Sequence, residues 1–138
     1  MFDAMTLEIA QREREGVVVL DIKGRLTVGA SATALRDYLR ELAAAGKPNV
    51  VLNLAEVDYI DSTGLGSLVV AYTTLRKAGG NLRLLNLNRR NIELLVLTKL
   101  TTVFELFDEE QHAVNSFFPN REIKHFDILS FVREQKRD

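Results

Sequence analysis

Over Thr6 to Glu13 apolar and polar positions alternate at first, through Leu7-Glu8-Ile9, the mark of a half-buried strand. Gly16 marks a turn. Val17-Val18-Val19-Leu20-Asp21-Ile22-Lys23-Gly24 is rich in β-branched residues and reads as a second strand, joined to the first as a hairpin. Gly24-Arg25-Leu26-Thr27-Val28-Gly29 reads as a loop, with Ser31 or Thr33 placed to cap the next helix. In that helix Leu35, Tyr38, Leu39 and Leu42 fall on one face, and Arg36, Asp37, Arg40 and Glu41 on the other. Gly46-Lys47-Pro48 stops it, since glycine suits the residue after a helix and proline cannot continue one.

Asn49 to Leu54 is almost continuously apolar, as expected of a strand covered on both faces. Asp58 to Gly64 reads as a turn. A second helix follows, with Leu65, Leu68, Val69 and Tyr72 at helical spacing, and Gly79-Gly80 ends it. Leu82 to Leu87 is a fourth strand. Asn88 or Asn91 caps a third helix running to about Leu100, and Val103 to Phe107 is a short last strand. Asp108 caps a helix from Glu109 to Phe118, which Pro119 breaks. The order is β-β-α-β-α-β-α-β-α. It predicts an α/β fold with helices packed on a parallel core, made a mixed sheet by the opening hairpin. The boundaries expected are a domain over residues 1–118 and a C-terminal tail over 119–138. In the tail, Phe126, Leu129 and Ile128 or Val132 line one side of a short helix. That helix either docks on the domain or frays, or it offers Phe126, Leu129 and Phe131 to a dimer or partner contact.

Composition narrows the classes. The chain has 138 residues, 46% hydrophobic and 27% charged, which fits one ordinary globular domain. A net charge of -1 argues against a nucleic-acid protein held by a basic field. With no cysteine and only His112 and His125, thiol chemistry is excluded and a typical zinc site is not expected. No cofactor is expected. No apolar run approaches the ~18 residues that cross a bilayer, and Met1 to Met5 lack the features of a signal peptide. A soluble, cytoplasmic protein without membrane contact is expected.

The chemistry concentrates at Asp61-Ser62-Thr63-Gly64-Leu65-Gly66, where a strand hands over to a helix. In an open α/β sheet that is the carboxyl end of a strand, where ligands and partners dock. Helix-start chemistry alone accounts for these residues, since Asp and Ser cap helices and Gly64 lets the chain turn. A hydroxyl here also suits a second use. A phosphate on Ser62 would meet the positive end of the helix dipole and add about -1.5 to -2 charges to a docking surface. A nucleophilic serine would need a partnered base, and the flanks lack the Gly-x-Ser-x-Gly elbow. Gly64-Leu65-Gly66 is not a dinucleotide fingerprint, because Val69 stands where its third glycine belongs. The two histidines read as surface residues, and Arg89-Arg90 as a solvated pair or a partner contact beside the turn.

From about Leu7 to Phe118 the chain resembles the anti-sigma factor antagonists, small single-domain members of the STAS family. Asp61-Ser62-Thr63-Gly64-Leu65-Gly66 is similar to the family signature Asp-Ser-[Ser/Thr]-Gly-[Leu/Ile]-Gly. Val51 to Leu54, Lys77 to Leu82 and the Gly24-Arg25-Leu26-Thr27 segment support the match. The resemblance implies a STAS-like mixed sheet and a protein that is not an enzyme. It implies binding to an anti-sigma factor serine kinase, phosphorylation of Ser62 by that kinase, and resetting by a PP2C-type phosphatase. The sigma factor is freed while the antagonist is unphosphorylated. Asp61, Ser62, Thr63, Gly64, Leu65, Thr27 and Arg89 are the implied docking patch, on a monomer or weak dimer. Many members carry Gly-Glu-Leu-Asp where this chain has Gly24-Arg25-Leu26-Thr27, so kinase pairing here differs or phosphorylation is slow. A constitutive antagonist, a STAS subunit of a transport or lipid-trafficking complex, and an anion- or nucleotide-binding sensor are the other readings.

Overall fold

The computed structural model describes residues 7–136. Met1 to Met5, and Thr6 where the alternation begins, lie outside the described residues, as do Arg137 and Asp138. The strands are β1 (Glu8–Arg14), β2 (Val17–Leu26), β3 (Asn49–Ile60), β4 (Asn81–Leu85) and β5 (Glu105–Phe107). The helices are α1 (Ala30–Ala44), α2 (Ser62–Lys77), α3 (Arg89–Leu97), α4 (Glu110–Asn115) and α5 (Ile128–Lys136), with a 3-10 turn at Leu100–Thr102. The expected element order is observed, as is the mixed sheet.

The five strands lie side by side in chain order. β1 and β2 are antiparallel and pair from Arg14 and Val17 outward. Their two-residue turn places Glu15 and Gly16 at φ 54° and 87°, the twist that a tight hairpin requires. β2, β3, β4 and β5 are parallel. α1, α2 and α3 lie on the same face, as expected of crossovers that share one hand and step in one direction. There Leu20, Leu52, Leu84 and Leu106 of the sheet pack with Leu35, Leu39, Leu68, Leu75 and Leu95 of the helices. On the opposite face Val17, Val19, Val51, Leu85 and Phe107 pack under Ala113 and Val114 of α4.

Several boundaries differ from the sequence expectation for identifiable reasons. Gly24 to Leu26 is strand, not loop, and β3 continues to Ile60 instead of stopping at Leu54. The pairing of β2 with β3 carries two register shifts, so the late buried residues of β3 are Leu54, Val57 and Ile60. A bulge replaces the period of two by a spacing of three, which hides a strand from an alternation test. α1 is preceded by Gly29 and has no side-chain cap. The Ser31 hydroxyl instead donates to the Thr27 carbonyl at 3.0 Å and accepts from its N–H at 2.9 Å. α4 starts one residue late and ends at Asn115, with Glu109 rather than Asp108 before it.

The tail docks on the domain. The Phe126 N–H donates to the Leu106 carbonyl at 2.9 Å, and His125 stacks on Phe107 at 4.8 Å. Phe126, Ile128 and Phe131 pack against the helix-side core, whereas Leu129 points out, 73% exposed. The segment thereby covers the outer edge of β5, where unpaired backbone groups would otherwise invite strand addition.

Candidate functional site

β2 and β3 finish together. Leu26 pairs with Ile60, and the Asp61 N–H donates to the Leu26 carbonyl at 3.2 Å. The chain then turns straight into α2 with Asp61 as its N-cap. One oxygen of the Asp61 carboxylate accepts from the Gly64 N–H at 2.7 Å. The other accepts from the Val28 N–H at 3.0 Å. A single side chain thus ties the start of α2 to the loop between β2 and α1. The Gly64 N–H holds the Asp61 carboxyl below its ordinary pKa against the opposing effect of burial, and the Val28 N–H adds a smaller lowering.

Gly64 is there because nothing larger fits. A Cβ on it would lie 2.0 Å from the Leu26 carbonyl oxygen, so α2 rests directly on the end of β2. Gly64 and Leu65 are buried and serve packing, while Ser62 and Thr63 are exposed at the first turn. Because Asp61 does the capping, the Ser62 hydroxyl is left without a hydrogen bond to any described residue. No base is therefore paired with it. His112 accepts from the Lys124 N–H at 3.1 Å, and His125 meets Glu105 at 2.8 Å.

Ser62 opens on a shallow groove of about 250 Å³. Tyr59, Ile60 and Asp61 form one side of it, and Arg90, Asn91, Glu93, Leu94 and Leu97 of α3 form the other. Two asparagines hold α3 against the late half of β3. Asn88 accepts from the Asn91 N–H at 2.8 Å as the cap of α3, and its amide donates to the Asp58 carbonyl at 3.1 Å. The Asn91 amide donates to the Val57 carbonyl at 3.1 Å. The buried Asn91 side-chain oxygen has no partner among the described residues. Arg90 lies over the Tyr59 ring, 4.4 Å from its centroid. Beyond Tyr59 a second hollow of about 290 Å³ is lined by Arg25, Asp58, Tyr59 and Arg90. Val28 and Leu97, 67% and 74% exposed, add apolar area to this end of the sheet.

The residues singled out in the sequence do not all meet. Asp61, Ser62 and Thr63 form the turn, and Thr27 adjoins it through Val28. Arg89 instead lies over Phe131 of α5 at 5.6 Å. Its neighbour Arg90 lines the groove with Ser62, because successive helix residues point about 100° apart. Tyr59, Leu94 and Leu97 were not expected at the site. Their signal was the apolar and aromatic character of a late strand and a helix face, half-buried at Tyr59 and Leu94 and exposed at Leu97, legible once α3 is set beside β3.

Among the described residues no helix is long and apolar enough to cross a membrane. The model of the STAS domain family matches residues 8–113. The anti-sigma-B factor antagonist of Bacillus subtilis is 33% identical over 110 residues, 80% of this chain and 99% of that protein. An anti-sigma factor antagonist from Mycobacterium paratuberculosis superposes with a TM-score of 0.71 at 23% identity, over 81% of this chain and 94% of that one. The Bacillus cell fate determinant SpoIIAA, an anti-sigma factor antagonist, has been solved unphosphorylated and phosphorylated. Its two forms superpose with TM-scores of 0.60 and 0.61 at 18% identity, covering 79% of this chain and 96% and 98% of theirs.

Proposed function

Because the chain belongs to the STAS domain family, among the anti-sigma factor antagonists, we propose that it works by phosphorylation-switched partner binding. In this reading the unphosphorylated protein captures an anti-sigma factor that is also a serine kinase, and a sigma factor is freed. The kinase transfers the γ-phosphoryl group of ATP to the Ser62 oxygen. A bond to phosphorus forms, the hydroxyl proton is lost and ADP leaves. The phosphoprotein is released, and a PP2C-type phosphatase hydrolyses the ester and resets it. The protein itself is a binding module of the cytoplasm, a monomer or weak dimer, and catalyses none of these steps.

The observation that carries the reading is the division of labour at the start of α2. Asp61 satisfies the helix start, so Ser62 is exposed and free of structural duty. A phosphate there leaves the fold unchanged but alters a surface built of Tyr59, Leu94 and Leu97. A partner fitted to the neutral hydroxyl meets about two negative charges that it must desolvate. Thr27, Val28, Asp61 and Thr63 fall within the same docking surface. Arg25 adds a positive charge beside it, on the hollow it shares with Asp58, Tyr59 and Arg90, which the partner's facing charge must match.

Incubation with the cognate kinase and ATP, read by mass spectrometry, tests the assignment. Phosphate on Ser62 and nowhere else is the expected result. Phosphate on another residue, or none, overturns it.

A further inference from the structure

We propose that Arg90 receives the phosphate of Ser62 and closes the groove on itself. The inference rests on the reading that Ser62 is the phosphoacceptor and adds how the phosphorylated state is held. Ser62 and Arg90 line the same groove from opposite sides, one from the start of α2 and the other from α3. The acidic groups on that groove are Asp61 and Glu93, and both repel a phosphate dianion. Arg90 is the cation on it. Among the described residues Arg90 has no carboxylate within 4.0 Å, and its contact is the face of Tyr59 at 4.4 Å. An exposed cation–π contact is weak beside a charge-assisted pair between a guanidinium and a phosphate. The planar fork of arginine suits two phosphate oxygens at once, which a lysine cannot match.

Phosphorylation then has two effects. It adds charge to the docking surface, and it draws the guanidinium off Tyr59 and across the groove. The half-buried Leu94 loses the opening through which a partner would reach it. The phosphorylated protein is thus blocked by one of its own side chains as well as by repulsion.

The test installs phosphoserine at position 62 during translation of the full chain, so that its presence depends on no kinase. The second ionisation of the phosphate, ordinarily near pH 6, is followed by 31P NMR in the wild-type background, Arg90→Gln, Arg90→Lys and Arg25→Gln. Arg25→Gln removes the same charge from the neighbouring hollow and controls for long-range electrostatics. The wild-type and Arg25→Gln midpoints should agree, and Arg90→Gln should titrate about half a unit to one unit higher. Arg90→Lys should fall between them. Equal midpoints for wild type and Arg90→Gln, or an equal shift in Arg25→Gln, would overturn the clamp. Failure of the kinase to modify Ser62 would instead overturn the function proposed above and leave this titration unchanged.

Discussion

Replacing Asp61 by alanine removes two hydrogen bonds, one to the start of α2 and one to the loop before α1. The cap to the Gly64 N–H, at 2.7 Å, contributes about 1 kcal/mol by analogy with other N-caps. The bond to the Val28 N–H, at 3.0 Å, adds about 1 kcal/mol, since the site is partly exposed. The unfolding entropy of a 138-residue chain is about 0.3 kcal/mol per degree, so a loss of about 2 kcal/mol lowers Tm by about 7 °C. Asparagine caps helices as well as aspartate does, but turns its amide toward Val28. Asp61→Asn should therefore lose about half as much. The pH dependence follows from the lowered carboxyl pKa. A depressed folded pKa means that the ionised carboxylate stabilises the fold fully above its unfolded value of about 4. That stability is lost as pH falls through the lower folded value. Thermal unfolding followed by circular dichroism should show a constant gap between wild type and Asp61→Ala above about pH 5, narrowing in stronger acid. A variant melting within about 1 °C of wild type at neutral pH, or a gap unchanged near pH 3, would refute the reasoning.

Three further outcomes are expected. Gly64→Ala forces α2 off the Leu26 carbonyl and should cost about 3 kcal/mol in urea unfolding, whereas Gly66→Ala, with open space at its Cβ, should be neutral or stabilising; equal midpoints for the two variants would contradict the contact. The Glu110 carboxyl is held down to about 2, chiefly by hydrogen bonds from Arg12 and then Arg14. Glu110→Gln should therefore cost about 1 kcal/mol at pH 7, after discounting for partial exposure, and progressively less as acid takes the wild-type carboxyl from its ordinary 4.5 toward 2; a pH-independent difference in urea midpoint would exclude the ion pair as its cause. Phe126→Ala should cost about 2 kcal/mol, because the half-buried ring packs on the core, while Leu129→Ala should stay within about 0.5 kcal/mol of wild type.

Much of the fold is legible in the chain because its elements are strongly patterned. The apolar stripe of Leu35, Leu39 and Leu42, the run Val50-Val51-Leu52 and the stops at Gly46-Lys47-Pro48 and Gly79-Gly80 each point to one element. The late half of β3 is not legible, because bulges space Leu54, Val57 and Ile60 by three and Glu56 and Asp58 intervene. The missing cap on α1 is equally hidden, since Ser31 has the right chemistry but turns it back on Thr27. At the site the contiguous Asp61-Ser62-Thr63 turn stands out in the sequence. The opposite wall comes from α3, about thirty residues later, and is assembled only by the parallel pairing of β3 with β4. Choosing Arg90 over Arg89 requires the rotation of that helix, which its cap at Asn88 and the Asn91 bond to Val57 set.

The central claim is that the state of Ser62 decides partner binding while the fold stays the same. Its most direct measurement is the affinity of the anti-sigma kinase for wild type, Ser62→Ala and Ser62→Asp, each first shown to melt alike. The account predicts that Ser62→Ala binds within about twofold of wild type and that Ser62→Asp binds at least about tenfold more weakly, a difference of about 1.4 kcal/mol. Equal affinity across all three proteins would contradict it.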